Sequence, residues 1–119
     1  KWNFIDKNGK CISDTWFDWV DDFDDGYVRV LLDNKWNFID KNGKRVSDRW
    51  FDEVGCFHEG YAYVKLGNKY NFINLNGKYI NNMLYDYAGD FYHGYAKVEI
   101  DDKWYVIDTN GKLYDEEPE

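Results

Sequence analysis

Several things are scarce in this sequence. Its 119 residues include two serines, Ser13 and Ser47, two histidines, His58 and His93, and two cysteines, Cys11 and Cys56. Neither serine lies in a Gly-x-Ser-x-Gly elbow, and no spacing joins a cysteine to a histidine, so the usual patterns of nucleophilic catalysis are missing. The two histidines come without the cysteine or carboxylate spacing of a metal site, and nothing in the sequence calls for a cofactor. No apolar run is long enough to span a membrane, and no signal-peptide pattern is present. The chain opens on Lys1 rather than Met, which points to a mature or excised piece and leaves the location of its parent open. Basic residues are few: 15 Lys and Arg stand against 23 Asp and Glu, for a net charge of −8. Such a chain repels a phosphate backbone at long range, which argues against general nucleic-acid binding.

What is plentiful is aromatic and repeated. Phe, Trp and Tyr make up 21% of residues, while the mean hydropathy is only −0.80. Large rings can therefore build a core while Asp, Asn and Lys cover the outside, and the chain is not expected to be disordered. The stretch KWNFIDKNGK at Lys1 recurs identically at Lys35, as KYNFINLNGK at Lys69 and as KWYVIDTNGK at Lys103. The spacing is constant, with no insertion between copies, so residues 1–34, 35–68 and 69–102 are full repeats and 103–114 a partial fourth, followed by an acidic tail at 115–119. The cysteines fall at different repeat positions, which favours two separate small thiols over a framework disulfide.

Each repeat reads as strands. Strand A, Trp2 to Asp6 and its counterparts, is apolar on both sides and reads as an inner strand. An Asn-Gly pair follows in every copy, suited to a tight turn that uses positive φ. Strand B is then the antiparallel partner of A, around Cys11 to Ser13, Arg45 to Ser47 and Tyr79 to Asn81. The next segment, carrying Trp16, Phe17, Val20 and Phe23 in the first copy, reads as an irregular connection that plugs the core. In it Asp18, Asp52 and Asp86 hold one repeated position, as expected of a turn or capping carboxylate. After Gly26, Gly60 and Gly94, strand C buries one face of small apolar residues and varies on the other. A second tight turn leads back to A. The expected fold is all-β: tandem antiparallel three-stranded meanders, C–A–B, stacked as a solenoid-like or partly closed array.

The combination KWxFID-x-NGK, an aromatic-Asp pair, Phe, Gly-Tyr and a Val-rich strand, repeated over the whole chain, resembles the bacterial WG-repeat (KWG) family. The resemblance implies a β-rich array used as a module of larger bacterial proteins, without an established general activity. Where that family carries Gly after Trp, this chain has Asn3, Asn37, Asn71 and Tyr105. Either the fourth copy relaxes a strained backbone there, or positive φ is not needed at this site.

Recurrence separates scaffold from function, since a catalytic residue needs one unique environment while a structural one repeats. Trp2, Trp36 and Trp104 are accordingly expected in the core, and no enzyme activity is expected. The acidic run Asp21-Asp22-Phe23-Asp24-Asp25 lacks the alternation of a calcium loop and reads as a solvated turn. The binding surface should lie where copies differ: Trp19 against Glu53 and Tyr87, Arg29 against Tyr63, His58 against Tyr92, and Tyr79 on strand B. These residues suit a protein partner, with a glycan as the alternative. Strand A of the first repeat lacks a strand C neighbour, and its open edge could pair with another copy.

Overall fold

A computed structural model describes residues 1–118; of the acidic tail at 115–119, Glu119 lies outside the described residues. The described residues form an all-β fold without a helix. The chain divides into two compact units, Lys1–Asp52 and Glu53–Glu119.

The first unit opens with the hairpin of the first repeat and contains one antiparallel sheet, β1 (Trp19–Val20), β2 (Tyr27–Leu32) and β3 (Lys35–Asp40), in the order β1-β2-β3. The second unit holds a sheet of β4 (Glu53–Val54), β5 (Tyr61–Leu66) and β6 (Lys69–Asn74) in the same order. It also holds a four-stranded sheet of β7 (Tyr87–Ala88), β8 (Tyr95–Ile100), β9 (Lys103–Asp108) and β10 (Leu113–Tyr114), ordered β10-β9-β8-β7. These are the expected antiparallel meanders, but their membership differs from C–A–B. The segment read as an irregular plug supplies a two-residue strand, β1, β4 or β7, and strand C occupies the middle of the first two sheets.

Strand A is therefore an edge strand in those sheets, although it is apolar on both sides. The cause is the asparagine that follows Trp36 or Tyr70. Asn37 Nδ2 donates to the Ser47 carbonyl at 2.8 Å, and its Oδ1 accepts the N–H of Phe38 at 2.7 Å. Asn3 and Asn71 repeat the arrangement with the carbonyls of Ser13 and Asn81. The side-chain amide thus inserts between A and B and takes over ladder bonds. Strand B is left with a single bridge, Ile5 to Cys11, Ile39 to Arg45 or Ile73 to Tyr79. In the last copy the position is Tyr105, and β10 pairs with β9 over two residues as a regular strand. None of the three asparagines adopts positive φ. The alternative in which left-handed backbone is not needed at this site is the one observed.

The Asn-Gly turns form as expected, with a division of labour. Only the glycines, Gly9, Gly43, Gly77 and Gly111, take positive φ, between 79° and 83°. The residue ending strand A fixes the turn: Asp40 Oδ1 accepts from Asn42 N–H at 2.9 Å and Lys44 N–H at 3.0 Å, and Asp6, Asn74 and Asp108 do the same in their copies. An amide oxygen at Asn74 serves as well as a carboxylate because the contact needs only an acceptor.

Strand C buries Val28 and Val30 in the first sheet, Ala62 and Val64 in the second, Ala96 and Val98 in the third. The cores of the first and last sheets also take a ring from the preceding strand A. In the first unit Phe4 packs on Phe17, Val28, Val30 and Ile39, its ring 4.6 Å from that of Phe23. In the second, Phe72 from β6 enters the cluster of Tyr85, Phe91, Val98 and Ile107 beneath the last sheet. Within each unit, successive copies are therefore joined through a shared core, and one copy alone would leave it half built.

Candidate functional site

The variable faces of the sheets are built by strict register. Across the first sheet Trp19, Leu31 and Trp36 stand opposite one another. The equivalent rows are Glu53, Lys65 and Tyr70, then Tyr87, Glu99 and Trp104. Residues directly opposite in antiparallel strands share a face, so each row is a set of side-chain neighbours.

Rings dominate these rows. Trp19 and Trp36 meet edge to face with centroids 5.7 Å apart, and the Arg29 guanidinium lies 5.3 Å from the Trp36 ring centroid. In the second unit Tyr63, Tyr70, Tyr87 and Trp104 follow one another at centroid distances of 6.0, 5.7 and 5.7 Å. Lys65 Nζ sits 5.5 Å from the centre of the Tyr70 ring, and the Tyr70 hydroxyl donates to Glu53 Oε2 at 3.1 Å. Burial and then the Glu53 carboxylate push the Tyr70 phenol above its ordinary pKa.

The expectation that the recurrent tryptophans are core is overturned. Trp2 is 56% exposed and Trp104 51% exposed, and Trp36 is half-buried. β3 and β6 bury Phe38 and Ile39 or Phe72 and Ile73, whereas Trp36 and Tyr70, on the same variable face as that Phe, stay half-buried. A spacing of 17 residues, half the repeat, would have revealed this: positions 2, 19, 36, 53, 70, 87 and 104 read Trp, Trp, Trp, Glu, Tyr, Tyr, Trp.

The candidate surface residues separate into groups. Trp19 and Arg29 come together over Trp36, while Glu53, Tyr63 and Tyr87 are linked through Tyr70. Tyr63 is partly a packing residue, since it lies against the core cluster and a Cβ at Gly55 would come within 2.3 Å of its ring. His58, Tyr79 and Tyr92 lie elsewhere. His58 closes a turn against Tyr61 and stands 3.8 Å from Asp90 Oδ2. His93 is in the next turn, with its ring 4.0 Å from that of Tyr92, so the two histidines have different partners. Tyr79 forms the bridge to Ile73. Both thiols are free, with Cys11 exposed.

Beside the rings runs a second half-repeat pattern, in which Lys1, Lys35 and Lys69 pair with Asp18, Asp52 and Asp86. Asp18 and Asp86 also accept the N–H of Asp33 and Asp101, each at 2.8 Å, in the turn between C and A. The repeated aspartate is thus a turn carboxylate as expected, but it serves a turn 15 residues further on. The N–H of Asp33 and then the Lys1 ammonium hold Asp18 below its ordinary pKa; Lys69 and then the N–H of Asp101 do so for Asp86. Asp108 is lowered as well, chiefly by the N–H of Lys112. A carboxylate depressed in the folded state adds stability above its unfolded pKa and loses it as pH falls through the folded value. Melting temperature should therefore drop as pH falls through about 4 and below, and Asp86→Asn should flatten that acid limb. An unchanged acid limb in the variant would refute the assignment.

Comparison with curated proteins and with solved structures gives no match. The repeat family described as WG containing repeat matches at residues 2–36, 38–70 and 72–104. Three consecutive copies spanning most of the sequence make this chain a member of the WG-repeat family.

Proposed function

We propose that this chain is a non-catalytic repeat module that binds protein through the aromatic rows of its sheets, as part of a larger protein or assembly. The observation that carries the reading is the exposure of large rings on the variable face: Trp19 at 41%, Tyr87 at 45%, and Trp2 and Trp104 above half. Buried on contact, such rings supply most of the energy of a typical protein interface, and a charge of −8 directs the surface towards a basic partner. A glycan reading is weaker because neighbouring rings lie at interplanar angles of 56° to 77°. Each ring then turns its edge to the next, and no common flat platform is offered to a sugar chain.

Alanine at Trp19, Tyr87 and Trp104 together should reduce capture of a protein partner at least tenfold in a pulldown, with circular dichroism unchanged. Undiminished capture would count against the reading. Tyr63 is left out because its packing on Gly55 and the core confounds binding with stability. Self-association is a second arm of the proposal. Ile5 on the first strand A is 69% exposed, whereas Ile39, Ile73 and Ile107 are fully covered by their strand C. Sedimentation over a range of concentrations checks whether this edge pairs with another copy.

A further inference from the structure

In two of the three rows the chain supplies its own cation. Arg29 lies over Trp36 and gives both Nε and Nη2 to Asp21 Oδ2, at 2.8 and 2.6 Å, so its guanidinium is held by a ring and a carboxylate. Lys65 lies over Tyr70, whose hydroxyl is bonded to Glu53. The third row, Tyr87, Glu99 and Trp104, has two rings on either side of a carboxylate. Among the described residues no cation lies over Trp104 or pairs with Glu99.

The difference has a local cause. The position of Arg29 is taken by Lys97, and that of Asp21 by Gly89, so the carboxylate that steers Arg29 over its ring has no counterpart. Lys103, the other nearby cation, lies over Tyr105. Lys97 and Trp104 instead both line a hollow of about 280 Å³, together with Tyr105, Val106 and Asp115. Of these Asp115 is the carboxylate, and Glu99 stands directly opposite Trp104 in the sheet.

We propose that this row receives an arginine side chain from a basic protein partner, its guanidinium over Trp104 and its donors on Glu99 or Asp115. A planar guanidinium stacks on an indole while keeping its N–H groups in plane for a carboxylate, as Arg29 does within the chain, whereas a lysine ammonium makes the two contacts less well together. The inference rests on the outer-face reading of function and narrows it to one chemistry.

Titration of the whole chain with N-acetyl-argininamide at physiological ionic strength, followed by NMR, tests it without any protein partner. The Trp104 indole N–H and the Glu99 amide should shift at the lowest probe concentrations. N-acetyl-lysinamide should bind about two- to fivefold more weakly. Glu99→Gln combined with Asp115→Asn should weaken the arginine response by a similar factor. Gly89→Asp with Lys97→Arg rebuilds the internal pair of the first copy and should abolish the response while amide dispersion shows an intact fold. The inference is overturned if Trp104 does not respond, if the rebuilt pair responds like the parent chain, or if a methyl glucoside produces the same shifts. Such an outcome with partner capture still lost in the triple alanine variant would remove the arginine and leave protein binding standing.

Discussion

Replacing Asn37 by leucine will lower the stability of the chain by roughly 2–4 kcal/mol, a large share of what a chain of this size has to spare. Asn37 is fully buried, and leucine keeps its approximate volume while removing both of its hydrogen bonds. The Ser47 carbonyl and the Phe38 N–H then stay buried without partners, and each such group costs about 1–3 kcal/mol. Strand B cannot simply move in to supply those bonds, because the leucine side chain occupies the gap that holds it away. Glycine, the residue the family uses, clears the gap, so Asn37→Gly should cost less than Asn37→Leu despite losing the same amide. Urea denaturation of the two variants decides the matter. A glycine variant less stable than the leucine variant would mean that the amide acts through volume alone.

The second large effect compares one residue type at equivalent repeat positions. Ile73→Ala should cost about 2–5 kcal/mol, as a fully buried aliphatic truncation does. Ile5→Ala should stay within about 0.5 kcal/mol. Ile73 is covered by Ala62 across the sheet, whereas Ile5 has no strand C beside it and is largely exposed. Thermal melts of the two variants side by side check the contrast, and equal losses would show that the first hairpin is buried in solution in a way the isolated chain does not reveal.

The parts of the fold legible in the sequence were those fixed by local chemistry and recurrence. The period, strands A and C, the Asn-Gly turn and the inward face of strand C all follow from residue pattern, because alternation and turn residues act over a few positions. The pairing was harder to see. Asn37 reads as a tolerant substitute for glycine, and nothing local shows that its amide will displace a strand. The strands β1, β4 and β7 are only two residues long, and their formation depends on strand C lying alongside. The same limit misplaced the tryptophans: recurrence argued for burial, and it is sound for Phe38 and Ile39, but Trp36 shares a face with Phe38 and is covered less, which depends on what packs over each ring and not on the strand's own pattern. Of the candidate surface, Trp19, Arg29, Glu53 and Tyr87 were found because they vary between copies. Tyr70 and Trp104 were passed over as members of the motif.

On the proposed reading, the half-repeat spacing of the rings bears on affinity. Each unit carries three of them, Trp2, Trp19 and Trp36 in one and Tyr70, Tyr87 and Trp104 in the other. A binding partner that engages both triplets converts its second contact into an intramolecular event, with an effective concentration set by its own linker. Avidity can then exceed either single affinity by about 10²–10⁴, and cutting the partner to one contact would lose that gain without disturbing a single bond in this chain.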